Sequence, residues 1–206
     1  MHLNLLRDPS EQPILAVTVL AILILLVLMA GLSLCLLPLG IILFVVIAYF
    51  LNKSHHADLI GRATQVTAQS APNLAKLAAE SGLRLKSGPY KLYVLPSNQL
   101  NAYTFGFSDP RVVVLYSPLL KVMDENELRF ILGHELGHII FNHTWINTLL
   151  GGMSGTPLTL ELALVFLFPF RWWNRACEYS SDRAGLLACG SLESATSALV
   201  KLVVQG

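Results

Sequence analysis

From Ile14 to Leu51 this chain runs 38 residues without a charged side chain. As one helix at 1.5 Å per residue the run would be about 57 Å long, far beyond a hydrocarbon core of about 30 Å. It must therefore turn. Gly31-Leu32-Ser33 and Leu37-Pro38-Leu39-Gly40 hold the breakers, dividing the run into helices over 14–31 and 37–51, each close to the shortest length that spans a bilayer. A signal peptide fits poorly, because the apolar stretch is too long and no small-x-small cleavage site closes it before Pro38. A transmembrane hairpin over 14–51 leaves the 1–13 tail and everything after it on one side of a lipid bilayer. Arg7, Lys53 and Arg62 flank the hairpin and favour the cytoplasmic side. The 206 residues are 54% hydrophobic and 13% charged, about half the charge of a soluble domain. The net charge of +1, with no dense basic cluster, points to no nucleic-acid partner.

The chemistry is carried by His134-Glu135-Leu136-Gly137-His138. Residues four apart share one helix face, so both imidazoles can reach a single metal at about 2.0–2.1 Å. Glu135 sits about 100° around the helix from His134, poorly placed as a ligand and well placed to take a proton from a water. Asp124 as N-cap and Glu127 three residues on give a capping-box spacing that puts the motif inside a helix. Phe130, Ile131, Ile139 and Ile140 bury that helix, and buried imidazoles and carboxylates are costly unless something binds them.

Catalytic zinc takes three protein ligands and a water. The third donor is sought in Asn174-Arg175-Ala176-Cys177-Glu178-Tyr179-Ser180-Ser181-Asp182, read as a helix capped by Asn174 and ended by Gly190. Glu178 and Asp182 share a face, so Glu178 can ligate while Asp182 accepts the free N–H of a ligating histidine. The alternative H-E-x-x-H-x-x-G-x-x-H pattern fails, because Phe141 and Thr144 stand where Gly and His are needed. His143, one residue off, reads as a polar residue near a helix C-terminus. Asn142 either hydrogen-bonds a ligand or ends the helix. Cys177 and Cys189 lie twelve residues apart on one helix, too far to bridge, and Cys177 reads as a buried structural thiol.

With these residues in place the chain resembles the membrane-anchored zinc metallopeptidases of the HtpX and type I CAAX prenyl protease kind, which are gluzincins. The resemblance rests on His134 to His138, on Glu178-Tyr179-x-x-Asp182-Arg183-Ala184-Gly185 and on Asn101-Ala102-Tyr103, and covers residues 72–204. It implies an α+β, zincin-like minimal metallopeptidase domain attached to the hairpin. It also implies one Zn2+ per chain on His134, His138 and Glu178, with Glu135 as general base, Asp182 behind a histidine ligand, and a polypeptide substrate. Relatives of the HtpX type face the cytosol, which makes a bacterial-type inner membrane the expected location. A His2-Glu donor set also favours zinc over other divalent ions.

Between membrane and metal, 52–71 reads as a linker helix and 72–206 as the metallopeptidase domain. Within that domain a helix is expected over 72–80, closed by Gly82. Tyr90 to Leu95, Ala102 to Phe107 and Arg111 to Tyr116 read as a three-stranded sheet, with Gly106 to Pro110 making a turn. Asn101 to Phe107 reads equally well as an ordinary internal strand or as an edge strand, where Asn101, Ala102 and Tyr103 would hold a peptide by its backbone. The apolar segment 145–173 reads equally well as membrane-associated or as soluble core, with Arg171-Trp172-Trp173 as a candidate interfacial anchor. Tyr179, Arg175, Arg183 and His143 are unranked candidates for stabilising an oxyanion. A zinc-binding scaffold with little activity stays open as a rival. An intramembrane metalloprotease is disfavoured by Asp124, Glu125, Glu127 and Arg129 just before the motif.

Overall fold

The computed structural model describes residues 6–32, 36–106, 109–144 and 164–205. Two long helices, α1 (Glu11–Leu32) and α2 (Leu36–Arg62), come first. Pro13 is tolerated in α1 because a first-turn residue has no intrahelical acceptor for its missing N–H. Among the described residues, α1 is the one helix long and apolar enough to cross a membrane, over Glu11–Leu28 with mean hydropathy 2.4. Its Val17, Leu20 and Val27 are exposed, as are Leu39, Ile42, Leu43, Ile47 and Phe50 of α2. The two helices touch each other, and α1 also lies against the long helix that follows residue 164.

The expected linker helix over 52–71 is replaced by two other elements. α2 runs on unbroken to Arg62, its last turn carrying an Asp58–Arg62 ion pair of 2.7 Å. The chain then forms β1 (Thr64–Gln65), antiparallel to β2 with Thr64 opposite Val94. Ser70 explains why helix does not resume. Its Oγ accepts from the Thr67 N–H (2.9 Å) and donates to the Gln65 carbonyl (2.8 Å), local bonds that compete with helical ones.

α3 (Pro72–Leu85) outlasts its expected end, closing at Lys86 in the left-handed region (φ 51°). Gly82 is interior: a side chain there would meet the Tyr90 ring at 3.3 Å, so its smallness serves packing and not termination. β2 (Tyr90–Leu95), β3 (Ala102–Phe105) and β4 (Arg111–Tyr116) follow. The sheet has four strands, not three, in the order β1-β2-β4-β3, with β2 and β4 parallel and β3 antiparallel to β4. Strand alternation sends Val113 and Leu115 into the main core with Leu77, Leu85, Phe130 and Leu136. Val114 and Tyr116 go to the opposite face, against Leu59 at the end of α2.

After the short α4 (Leu119–Val122), α5 (Glu125–Ile140) starts at a complete capping box. Asp124 accepts from the Glu127 N–H (2.9 Å) and Glu127 accepts from the Asp124 N–H (2.7 Å). α6 (Leu164–Cys189) packs along α5, and α7 (Leu192–Gln205) closes the domain. Asn174 is therefore interior to α6 and not its cap. Buried Trp173, Ala176, Cys177, Ser180, Ser181, Ala184 and Ala188 form one continuous helical stripe through this region, so the helix has no reason to start at 174. It does end at Gly190, which has φ 72°. Of the apolar segment, 145–163 lies outside the described residues. Trp172 is exposed, but Trp173 is buried with Cys177 against Ile14 and Leu15 of α1, so one of the two tryptophans of the supposed anchor is interior packing.

Candidate metal centre

Three close approaches weld α5 to α6. A Cβ on Gly133 would lie 2.4 Å from that of Ala188, one on Gly137 2.9 Å from the Ser181 Cα, and one on Gly185 2.8 Å from the Phe130 carbonyl oxygen. The backbones can touch only because these positions lack side chains. That contact brings residues 134–138 up to 178–182.

His134 Nε2 lies 3.2 Å from His138 Nε2. The Glu178 carboxylate faces both rings, its Oε2 3.3 Å from His134 Nε2 and its Oε1 3.8 Å from His138 Nε2. Donors at about 2.0–2.1 Å around a tetrahedral ion stand about 3.3 Å apart; the two nitrogens already meet that spacing, and one carboxylate oxygen of Glu178 lies within 4.8 Å of both. The residues fit the metal. Asp182 Oδ1 lies 2.9 Å from His134 Nδ1, which leaves Nε2 as the nitrogen facing the ligand triangle. Glu135 is buried on the adjoining face, where its Oε2 accepts from the Thr104 hydroxyl of β3 (2.6 Å).

The electrostatics favour a cation. Burial opposes a charged His134, but the Asp182 and Glu178 carboxylates outweigh it and push its pKa up to about 10. Burial likewise opposes ionised Glu178, yet the hydrogen bond from His134 and the charge near His138 hold it down at about 2. His138 is pushed down to about 3, chiefly by burial. Glu135 is raised above the ordinary carboxylate value by burial, with the neighbouring His134 and the Thr104 hydroxyl opposing. A raised carboxyl pKa suits a group that must first take and then give up a proton.

The matching family model, peptidase family M48, aligns with residues 64–205, which include all of these groups. This chain belongs to peptidase family M48. It is 31% identical over 155 residues to the plastoglobule-localized metallopeptidase 48 of Arabidopsis thaliana, an alignment covering 69% of this chain and 43% of that protein. It is 39% identical over 97 residues to a probable CAAX prenyl protease 1 of Schizosaccharomyces pombe, covering 45% and 20%. A protease HtpX homolog of Burkholderia mallei is 24% identical over 168 residues, covering 68% and 59%. The chain thus spans less than two thirds of each relative's length. Membership of the M48 family implies a metal cofactor and bears out the family resemblance read from the motifs.

Within the M48 domain other expected site residues fall less uniformly. β3 is the sheet edge beside Glu135, not an internal strand. Tyr116 N–H donates to the Asn101 carbonyl (2.9 Å), so alternation points the backbone groups of Ala102 and Thr104 toward the open edge. The Asn101 side chain accepts from the Ala102 N–H at 2.9 Å. The Tyr103 ring lies on the opposite face, against Phe105 and Tyr116. Asn142 ends α5 with φ 65° and its side chain accepts from Arg111, while His138 Nδ1 faces His143. Of the four oxyanion candidates, His143 is fully buried, and Arg183 is held by Asp8 (3.2 Å) and the Leu6 carbonyl (3.3 Å). Tyr179 is exposed beside Glu178.

The largest omission from the sequence reading is beneath His138. His143 Nδ1 stands 3.1 Å from His138 Nδ1, and His143 Nε2 stands 3.0 Å from Glu11 Oε1. Arg7 donates to the same Glu11 oxygen at 2.6 and 2.8 Å, and Ser180 donates to Oε2 at 2.8 Å. The one signal available was a histidine five residues beyond His138. Nothing in the sequence links it to Glu11.

Proposed function

We propose that this chain is a membrane-bound zinc endopeptidase, with His134, His138 and Glu178 holding one zinc ion and Glu135 acting as general base. The observation that carries the proposal is the convergence of His134, His138 and Glu178, whose ligand atoms lie within 4.8 Å of one another, beside the buried carboxylate of Glu135. A zinc ion held there supplies Lewis acidity toward a carbonyl and a water. Glu135 takes a proton from the attacking water as its oxygen bonds to the scissile carbon, then delivers that proton to the amine nitrogen as the C–N bond breaks. Thr104 holds the carboxylate in place throughout, and Asp182 holds the ring of His134.

An extended polypeptide adds to the edge of β3, paired through the Ala102 carbonyl and the backbone groups of Thr104. Binding through backbone groups makes selection by side chain weak, which suits unfolded or misfolded substrates, membrane proteins included. The exposed apolar surfaces of α1 and α2 support insertion in a bilayer as a hairpin, and the Arg7, Lys53 and Arg62 flanks support a cytoplasmic active site in a bacterial-type inner membrane.

The test is zinc content and casein cleavage on the same detergent-purified samples of wild type, Glu135→Gln and Glu178→Ala. One zinc per chain with cleavage in wild type, zinc without cleavage in Glu135→Gln, and lowered zinc in Glu178→Ala are the expected results. Zinc without cleavage in wild type would make the protein a metal-binding scaffold instead.

A further inference from the structure

The start of α1 reaches the metal site through one buried chain of polar groups, and the direction of its protons can be worked out. His138 turns Nε2 toward His134 and Glu178, so its Nδ1 carries the hydrogen of the neutral ring and donates to His143 Nδ1 across 3.1 Å. His143 Nδ1 is then an acceptor. Its hydrogen lies on Nε2 and donates to Glu11 Oε1 across 3.0 Å. Glu11 is wholly buried, and its carboxylate also accepts from Arg7 and Ser180. Each donor meets an acceptor along the line, and no other tautomer satisfies both ring contacts at once. We infer that Glu11, at the N-terminal end of the first membrane helix, is a positioning residue that fixes the tautomer and orientation of the metal ligand His138 through His143.

This inference rests on the proposed ligand set. An outer partner that orients a metal-bound imidazole and raises its basicity is worth about 10–100-fold in metal affinity. Here the direct partner is His143, itself held by Glu11 from 132 residues away in sequence, so the membrane helix and the metal site are parts of one bonded network. Glu11, His143 and Cys177 also bring possible ligand atoms within 4.8 Å of one another. Both Glu11 oxygens are already engaged by Arg7 and Ser180, which favours the hydrogen-bonded arrangement over a second metal.

The test measures zinc stoichiometry and affinity by chelator competition on the full chain in detergent, with thermal unfolding in excess chelator as a separate readout. Leucine at position 143 (His143→Leu) fills the volume without polar atoms, and glutamine there (His143→Gln) restores an acceptor toward His138 and a donor toward Glu11. The expected results are affinity lowered about 10–100-fold in His143→Leu and lowered in Glu11→Gln, recovery to within a few fold in His143→Gln, and no change in Cys177→Ala. Unchanged affinity in both His143→Leu and Glu11→Gln, while His138→Ala abolishes binding, would overturn this inference and leave the ligand set standing. Two zinc ions per wild-type chain, one of them lost in Cys177→Ala, would overturn it in favour of a second metal site. No zinc in wild type would sink both. Nitrogen-15 histidine NMR of the zinc-loaded wild type decides independently of whether any variant folds: the Nε2–H tautomer at His143 supports the inference, and the Nδ1–H tautomer overturns it.

Discussion

Thr104 is the smallest group on which the proposed chemistry depends. Its hydroxyl is the one side chain donating to Glu135 among the described residues, at 2.6 Å, and valine has the same shape without that donor. Thr104→Val should therefore lower kcat by about 10-fold or more with zinc content unchanged, checked by steady-state kinetics and metal analysis on one sample. An equal loss of zinc would show that the hydroxyl supports the fold of the site and not the base. The histidines and Glu135 could be read from sequence because an i, i+4 spacing on a capped helix is local geometry. Glu178 and Asp182 needed a second helix of the same period. The Thr104 and Glu11 contacts cross 31 and 132 residues, and no periodicity reports such pairings.

At the scale of elements, the α5–α6 seam holds the ligand triangle. Gly137→Ala would place a methyl group 2.9 Å from the Ser181 Cα, backbone that cannot rotate away. It should destabilise the fold by about 1–3 kcal/mol and lower zinc affinity, since any separation of the helices draws Glu178 from the histidines. Thermal unfolding and chelator competition read the two effects separately. Elsewhere the start of α5 is tied to α7 by Glu127, which accepts from Lys201 and Ser197, each at 2.6 Å. Burial raises the Glu127 pKa, but these bonds and the Asp124 N–H outweigh it, leaving the pKa below the ordinary 4.5. A depressed folded pKa gives stability that is full above the ordinary value and lost as pH falls through the folded one. Glu127→Gln should thus destabilise at pH 7, and the difference from wild type should shrink toward pH 3. A pH-independent difference in melting temperature would count against the assignment. The capping box was readable because it is a four-residue pattern. β1 was not, because two residues gain strand identity only from pairing with β2, and the early start of α6 was hidden because Asn174 has the chemistry of a cap without its position.

For the whole molecule, the apolar outer surfaces of α1 and α2 make a specific claim about solubility. The chain should stay with membranes through an alkaline carbonate wash and require detergent for release; appearance in the wash would oppose the hairpin. Burial of Trp173 and Cys177 against Ile14 and Leu15 shows that α1 also packs on the domain, which the division into hairpin, linker helix and metallopeptidase domain did not anticipate. That arrangement has a consequence for synthesis. Glu178 lies 40 residues after His138, about 2–8 s later at ordinary elongation rates, while Glu11 emerged long before either. Until Glu178 is made, a growing chain holds the first helix and both histidines without the proposed third donor. The proposed cluster therefore gathers groups from distant stretches of sequence, and it cannot close before Glu178 has been made.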